Sequence, residues 1–192
     1  WKKIYEPIIR RAAGLGKPPK EFKAVSSHLH HNVDIVIVGG GLNGLLAAKS
    51  LINTHYDVLL IEFDSHLGGI INNSDKINSI DNQSPKAWVK ETVEAIEHSK
   101  NIRILKNTLV TTYNYINHLI AVEDKFVGAK PSESKVNSTL HKIRTEHVLL
   151  CNGHIERFLS FQNNDLPGIM LASSFEKYIT RYGVLPSTEP II

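Results

Sequence analysis

The sequence predicts an α/β fold: a Rossmann-like doubly wound parallel sheet with an antiparallel three-stranded β-meander attached. Three observations predict it. The apolar run Val33–Val38 enters Gly39-Gly40-Gly41-Leu42-Asn43-Gly44, a Gly-x-Gly-x-x-Gly turn. A helical pattern over Leu45–Ile52 then leads to a second apolar strand, Asp57–Ile61, which ends on Glu62. Further on, three short strand patterns follow one another and precede one more apolar strand, His147–Cys151. Strand, glycine turn, helix, strand and acid, in that order, form a dinucleotide-binding βαβ unit.

The elements follow in chain order. Residues 1–13 suit a short helix with Ile4, Ile8 and Ile9 as its apolar stripe, and Pro7 either falls in a first turn or breaks the segment. Gly14, Gly16, Pro18 and Pro19 end it, and the chain to Asn32 reads as a linker. His28, His30 and His31 lie there with no paired Cys or acid cluster, so a polar, solvated linker is preferred to a metal site. After Glu62, the pair Gly68-Gly69 either makes a turn or lets the chain pass close to a cofactor. Ser84 and Pro85 give an N-cap and a first helical position. The helix they open carries Trp88, Val89, Val93 and Ile96 on one face and runs to about Lys100, with Trp88 as a packing residue. Ile102–Leu105 is a short strand suited to extend the parallel sheet. Leu109–Tyr115 and Leu119–Glu123 form a hairpin joined near Asn117, and Leu140–Arg144 returns as the third meander strand after a polar loop. Asn152-Gly153 turns the chain out of the His147–Cys151 strand, and a last helix, Leu171–Tyr182, stops at Gly183 and Pro186.

The candidate site sits beyond the carboxyl ends of the parallel strands. Gly39 permits the tight turn out of the strand, Gly41 leaves room for a pyrophosphate, and Gly44 lets the helix pack against the strand. Gly40 completes the bend, and Asn43 stands at the helix entrance, where it either touches phosphate or caps the helix. The helix presents free N–H groups and the positive end of its dipole to an anion. Glu62 is placed to accept hydrogen bonds from a ribose, and Asn152-Gly153 converges on the same cleft. A carboxylate repels a 2′-phosphate, and no Arg or Lys follows Glu62 closely, so NADP is disfavoured while NAD and FAD both fit.

Composition narrows the class. The 192 residues carry a net charge of +3 with acids and bases mixed, which argues against a nucleic-acid-binding face. No apolar run reaches membrane-spanning length, and a single Cys fits a reducing, cytoplasmic setting. Cys151 reads as a small core residue rather than a nucleophile. No Ser-His-Asp or metal-ligand spacing stands out, and no catalytic residue is expected.

The residues also resemble a known family. Tyr5–Gly16 is similar to the linker in the alpha subunit of heterotetrameric sarcosine oxidase, and Asp34–Gly44 looks like its dinucleotide fingerprint. Glu62–Gly69 resembles its acid and double-glycine stretch, and Ile155–Arg157 with Asn163–Ala172 resembles a later signature. The fingerprint is shared by very many flavoproteins; the linker and the Asn163-Asn164-Asp165 signature are more specific. The resemblance implies an oxidoreductase subunit acting on CH–NH donors, with beta, gamma and delta subunits as partners. It implies NAD in this cleft, with FMN, FAD and tetrahydrofolate elsewhere in the complex and the amine-oxidising residues outside this chain. It also implies that 1–32 is a linker after another domain, 33–183 the dinucleotide-binding domain, and 184–192 the start of a connection to a second nucleotide domain. By the same resemblance Asn43, Glu62, Phe63, Asp64, Gly69 and Ile70 line the cofactor, and Leu109 or Val110 meets the adenine through its backbone. The family often has Pro-Ala at Leu42-Asn43, Ala-Thr-Gly at Cys151–Gly153, and Pro at Phe158. Two other functions fit the residues: an FAD-dependent domain of the opine or cyanide-forming dehydrogenase type, and an assembly scaffold with an empty cleft.

Overall fold

The computed structural model describes residues 5–14, 26–73, 77–125 and 138–188. The helix α1 (Tyr5–Ala12) has Glu6 in its first turn and Arg10 and Arg11 in its last, an order that complements the helix dipole. Its Ile8 and Ile9 stay exposed, while Ile4 lies outside the described residues.

Six strands form one sheet in the order β3-β2-β1-β6-β5-β4. They are β1 (Ser26–Val38), β2 (Val58–Ile61), β3 (Ile102–Leu105), β4 (Thr108–Asn114), β5 (His118–Asp124) and β6 (Ser138–Leu150). β1 pairs in parallel with β2 and β6, and β2 with β3. β4–β5 and β5–β6 are antiparallel. The expected combination of parallel core and antiparallel meander is therefore present.

Two boundaries differ from the sequence reading, for one reason. β1 begins at Ser26, so His28, His30 and His31 are strand residues, not linker. β6 runs unbroken from Ser138 to Leu150, so the third meander strand and the last parallel strand are one element. The two long strands match in register from Ser26↔Ser138 to Val38↔Leu150. Their first halves are mostly polar, with four histidines and only Leu29, Leu140 and Ile143 apolar, a composition that hides strand character when apolar runs are sought. Pairing supplies what composition conceals. Thr145 Oγ1 donates to the Asp34 carbonyl at 2.9 Å and stitches the two strands where the apolar halves begin.

The core has two layers. On one face of the sheet, Ile35, Ile37, Val58 and Leu60 pack with Leu45 and Ala48 of α2 (Leu42–Ser50) and Trp88, Val89 and Ile96 of α3 (Pro85–Glu97). On the other face, Val36, Leu59 and Ile61 pack with Leu119, Ala121 and Ile143 of the meander. The sheet curls to allow this: Thr108 N–H donates to the Glu62 carbonyl at 2.9 Å, which sets the start of β4 beside the end of β2. Each position of β2 is buried, as a central strand covered on both faces requires. Burying each such Leu or Ile contributes about 1.5–3 kcal/mol. Truncating Leu60 to Ala costs about 2–5 kcal/mol through the cavity it leaves.

α3 starts as expected. Ser84 Oγ accepts from Ala87 N–H at 3.3 Å, and Pro85 occupies the first turn. Its last helical residue is Glu97, with His98 as C-cap. Trp88 is 1% exposed and donates its indole N–H to Asp81 at 2.8 Å, which confirms its packing role. α4 (Ala172–Tyr182) has no buried residue and ends at Gly183 in the left-handed conformation, φ 64°. No helix among the described residues is long and apolar enough to cross a membrane.

Candidate functional site

The site forms where β1 and β2 end. Val38 passes into Gly39, whose φ of +103° places it in the region that favours glycine. Its N–H donates to the Ile61 carbonyl at 2.8 Å, so the bend is tied to β2. The adjacent wall is Cys151, whose N–H donates to the Val38 carbonyl at 2.7 Å. A side chain on Gly39 would collide with the Cys151 carbonyl. Gly44 is tighter still: a Cβ there would run into the carbonyl oxygen of Gly39 and lie 2.9 Å from its carbonyl carbon. Gly39 and Gly44 are thus required for packing strand, turn and helix.

Gly41 differs from both. Its φ is −74°, open to any residue, and a Cβ would meet nothing nearer than the Gly69 Cα at 4.0 Å. The space over Gly41 is therefore open, and no internal contact requires glycine there. α2 begins at the next residue, with Gly41 as an N-cap that contributes no side-chain hydrogen bond and no acid in the first turn. The helix starts three residues earlier than its apolar pattern suggests, so Asn43 lies within the first turn, exposed, and does not cap. An uncapped helix end above a bare glycine offers N–H donors and positive potential to an anion.

Glu62 has more work than sequence suggests. Its Oε2 accepts from Gly40 N–H at 2.6 Å, and its Oε1 accepts from Asp64 N–H at 2.7 Å. The carboxylate so braces the glycine bend from below and retains further acceptor positions for a sugar diol, since two oxygens offer about four lone-pair sites. The second glycine pair closes the other side. Gly68 N–H donates to the Gly40 carbonyl at 2.8 Å, and a Cβ built on Gly69 would lie 3.0 Å from the Gly41 Cα. The loop then makes a short 3-10 turn, Gly69–Asn72.

Three apolar side chains stand exposed on elements bordering this cradle: Phe63 next to Glu62, Ile70 after the glycine pair, and Leu109 in β4. Val110 instead packs into the meander core. Asn107 N–H donates to the Asp64 carbonyl at 3.1 Å, which draws the start of β4 to the acid segment. Asn152 and Gly153 lie exposed just past Cys151. The structure therefore groups Gly39, Gly40, Gly41, Asn43, Gly44, Glu62, Gly69, Asn152 and Gly153 around the strand ends, with Phe63, Asp64, Ile70 and Leu109 along one side.

Asp64 is engaged. Arg181 in the last turn of α4 grips both its oxygens, Nη1 at 2.6 Å and Nη2 at 3.0 Å. The guanidinium holds the Asp64 carboxyl well below the usual carboxylate range, and Asp64 in turn raises Arg181. Arg181 also approaches His66 Nδ1 at 3.1 Å. Sequence reading missed this residue, because it lies 117 positions beyond Asp64 and reads only as a basic residue at a helix end. Glu156 was equally hidden: its Oε2 accepts from Ser173 N–H at 2.8 Å and caps α4.

Other candidates resolve plainly. Cys151 is half-buried, and burial pushes its thiol up, away from the thiolate a nucleophile needs. No cluster of His, Cys, Asp or Glu among the described residues suits a metal. His31 instead hydrogen-bonds His141 across the sheet, Nε2 to Nδ1 at 2.9 Å, and burial and His141 lower its pKa.

Fold and site together define a Rossmann-like dinucleotide-binding domain. Residues 37–85 match the family described as NAD(P)-binding Rossmann-like domain. The chain belongs, along its whole length, with the alpha subunits of sarcosine oxidase. It is 33% identical to sarcosine oxidase subunit alpha of Rhizobium meliloti (strain 1021), over 100% of this chain and 20% of the relative. It is 32% identical to the subunit of the same name from Corynebacterium sp. (strain P-1), over 93% of this chain and 19% of the relative. The chain thus spans about a fifth of the length of these curated relatives. Among solved structures, L-proline dehydrogenase from P. horikoshii shares the fold, with a TM-score of 0.65 at 24% identity over 85% of this chain and 31% of that one.

Proposed function

We propose that this chain holds NAD, as the dinucleotide-binding part of an alpha subunit in a sarcosine oxidase-like amine oxidoreductase. One observation carries the binding reading: the open space over Gly41 faces an uncapped helix start, with the Glu62 carboxylate braced beside it. The first N–H groups of α2 hold the diphosphate. Glu62 receives the adenosine ribose hydroxyls on the lone pairs that Gly40 and Asp64 leave free. Phe63, Ile70 and Leu109 give the adenine an apolar border. Asn152-Gly153 forms the far wall, toward the other half of the cofactor. A nicotinamide dinucleotide supplies two-electron hydride chemistry when bound. This chain's own residues bind and orient; the amine-oxidising groups belong to flavin in a partner subunit. The choice of NAD over FAD and the beta, gamma and delta partners rest on the kinship with sarcosine oxidase alpha subunits.

The test is direct. The full-length protein is purified and denatured, and the released nucleotide is identified by mass. NAD supports the proposal. Released FAD keeps the cleft and overturns the cofactor. No nucleotide, with no binding on addition of NAD or FAD, overturns both and leaves a scaffold. Glu62→Arg should abolish retention, and unchanged retention would contradict the site.

A further inference from the structure

Glu62 is the acid at the ribose, yet the carboxylate two residues on is the one that carries a cation. The Asp64–Arg181 pair is bidentate, and both side chains are largely withdrawn from solvent, 34% and 17% exposed. Ser65 N–H and Oγ donate to the same Asp64 oxygen, at 2.7 and 3.1 Å, so the carboxylate is fixed from two sides. Asp64 N–H is meanwhile bonded to the Glu62 carboxylate at 2.7 Å. One residue therefore touches the ribose acid through its backbone and the guanidinium through its side chain. α4 buries no residue, so its basic last turn is placed here by polar contacts: this pair and Thr180 Oγ1, which donates to the Asn73 carbonyl at 2.8 Å.

In dinucleotide sites an acid selects the free 2′-hydroxyl and a nearby Arg accommodates a 2′-phosphate. Here the sequence places no cation after the acid, but the fold brings one to that loop from the far end of the chain. Its charge is cancelled on both nitrogens by Asp64. We infer that Asp64 and Arg181 form a specificity pair, in which Asp64 silences a guanidinium that would otherwise attract a 2′-phosphate. This inference rests on the dinucleotide reading above. It assigns to Asp64 a role at the ribose edge exercised through Arg181, and it makes Arg181 part of the selection for a dinucleotide with an unmodified ribose. Asp64→Asn keeps the shape and one acceptor oxygen but leaves the guanidinium charge uncompensated. Arg181→Gln does the reverse and adds a second unpaired carboxylate beside Glu62.

The test uses the nucleotide-stripped full-length protein with two probes, ADP-ribose and its 2′-phosphate, titrated calorimetrically. Both probes carry the adenosine diphosphate half that NAD and FAD share. The wild type should bind ADP-ribose and discriminate against the 2′-phosphate. Asp64→Asn should shift the ratio at least tenfold toward the 2′-phosphate, and Arg181→Gln should shift it further away. The double variant should return to within about threefold of the wild type, since neither charge remains, and Arg181→Lys should stay close to wild type. A purely structural pair predicts lower melting temperatures with no change in the ratio, and that result would overturn the inference while leaving the site intact. Failure of the wild type to bind ADP-ribose would overturn the site reading itself.

Discussion

Replacing Gly41 and Gly44 separately by Ala distinguishes a glycine kept for a ligand from one kept for the fold. At Gly44, alanine gains about 1 kcal/mol of helix propensity. Its Cβ, however, meets the backbone carbonyl of Gly39, which is itself fixed by the bonds from Gly39 to Ile61 and from Cys151 to Val38. Backbone held on both sides cannot yield as a side chain would, so overpacking at the upper end of its usual range, about 2–3 kcal/mol, outweighs the propensity gain. A net loss of about 1–2 kcal/mol lowers the melting temperature by about 2–8 °C for a chain of this size. At Gly41 the opposing terms nearly cancel. An alanine there fits and φ is already −74°. The gain of about 0.4–1 kcal/mol from reduced freedom of the unfolded chain offsets the similar cost of alanine as a poorer N-cap, so the melting temperature stays near that of the wild type. Its methyl group, though, fills the space assigned to the diphosphate. Losing one charge-assisted hydrogen bond costs about 1.5–3 kcal/mol, or a 10- to 150-fold weaker dinucleotide. Thermal denaturation and equilibrium dialysis of both variants measure the four quantities. A Gly41→Ala protein that melts early, or one that binds dinucleotide as the wild type does, would refute the reasoning.

The remaining predictions concern protonation. The Asp64–Arg181 contribution is complete above about pH 4, where Asp64 is ionised even unfolded, and is lost as pH falls toward the depressed folded value. The stability gap between wild type and Asp64→Asn, read from urea melts, should therefore narrow only below pH 4; a gap that closes between pH 8 and 5 would show that another group is responsible. His31 follows the same direction over a higher pH range, because its imidazole is harder to protonate in the fold than in the open chain. Stability should decline as pH falls through about 6.5, and His31→Asn should flatten part of that decline, with the imidazole titrations followed by NMR. Cys151 should react with iodoacetamide at pH 8 more slowly than a free thiol, since burial raises its pKa. Alkylation at the free-thiol rate would contradict the half-buried wall described above.

Legibility in the sequence followed the range of the interaction. The glycine bend, the N-cap at Ser84 and the acid after β2 are local events written within a few residues, and each stands where its pattern places it. Strand ends were less legible: the histidine-rich start of β1 is a strand because β6 pairs with it, not because its residues favour one. That Glu62 also braces Gly40, beside the ribose role proposed for it, needed the backbone in three dimensions. Arg181 was beyond any local rule. Its partner is 117 residues away, and charge spacing along the chain carries no trace of the pairing.

The long union of β1 with β6 also sets a timetable for assembly. Ser27 and Thr139 face each other across 112 positions of chain, so the right-hand neighbour of β1 reaches it late in synthesis. Until then Val33–Val38 has only β2 beside it and offers its other rim, with its apolar side chains, to whatever strand arrives first. Closing so large a loop is slow by topology alone. A nascent chain halted before residue 138 should consequently be a stronger client for chaperones than one released past Leu150.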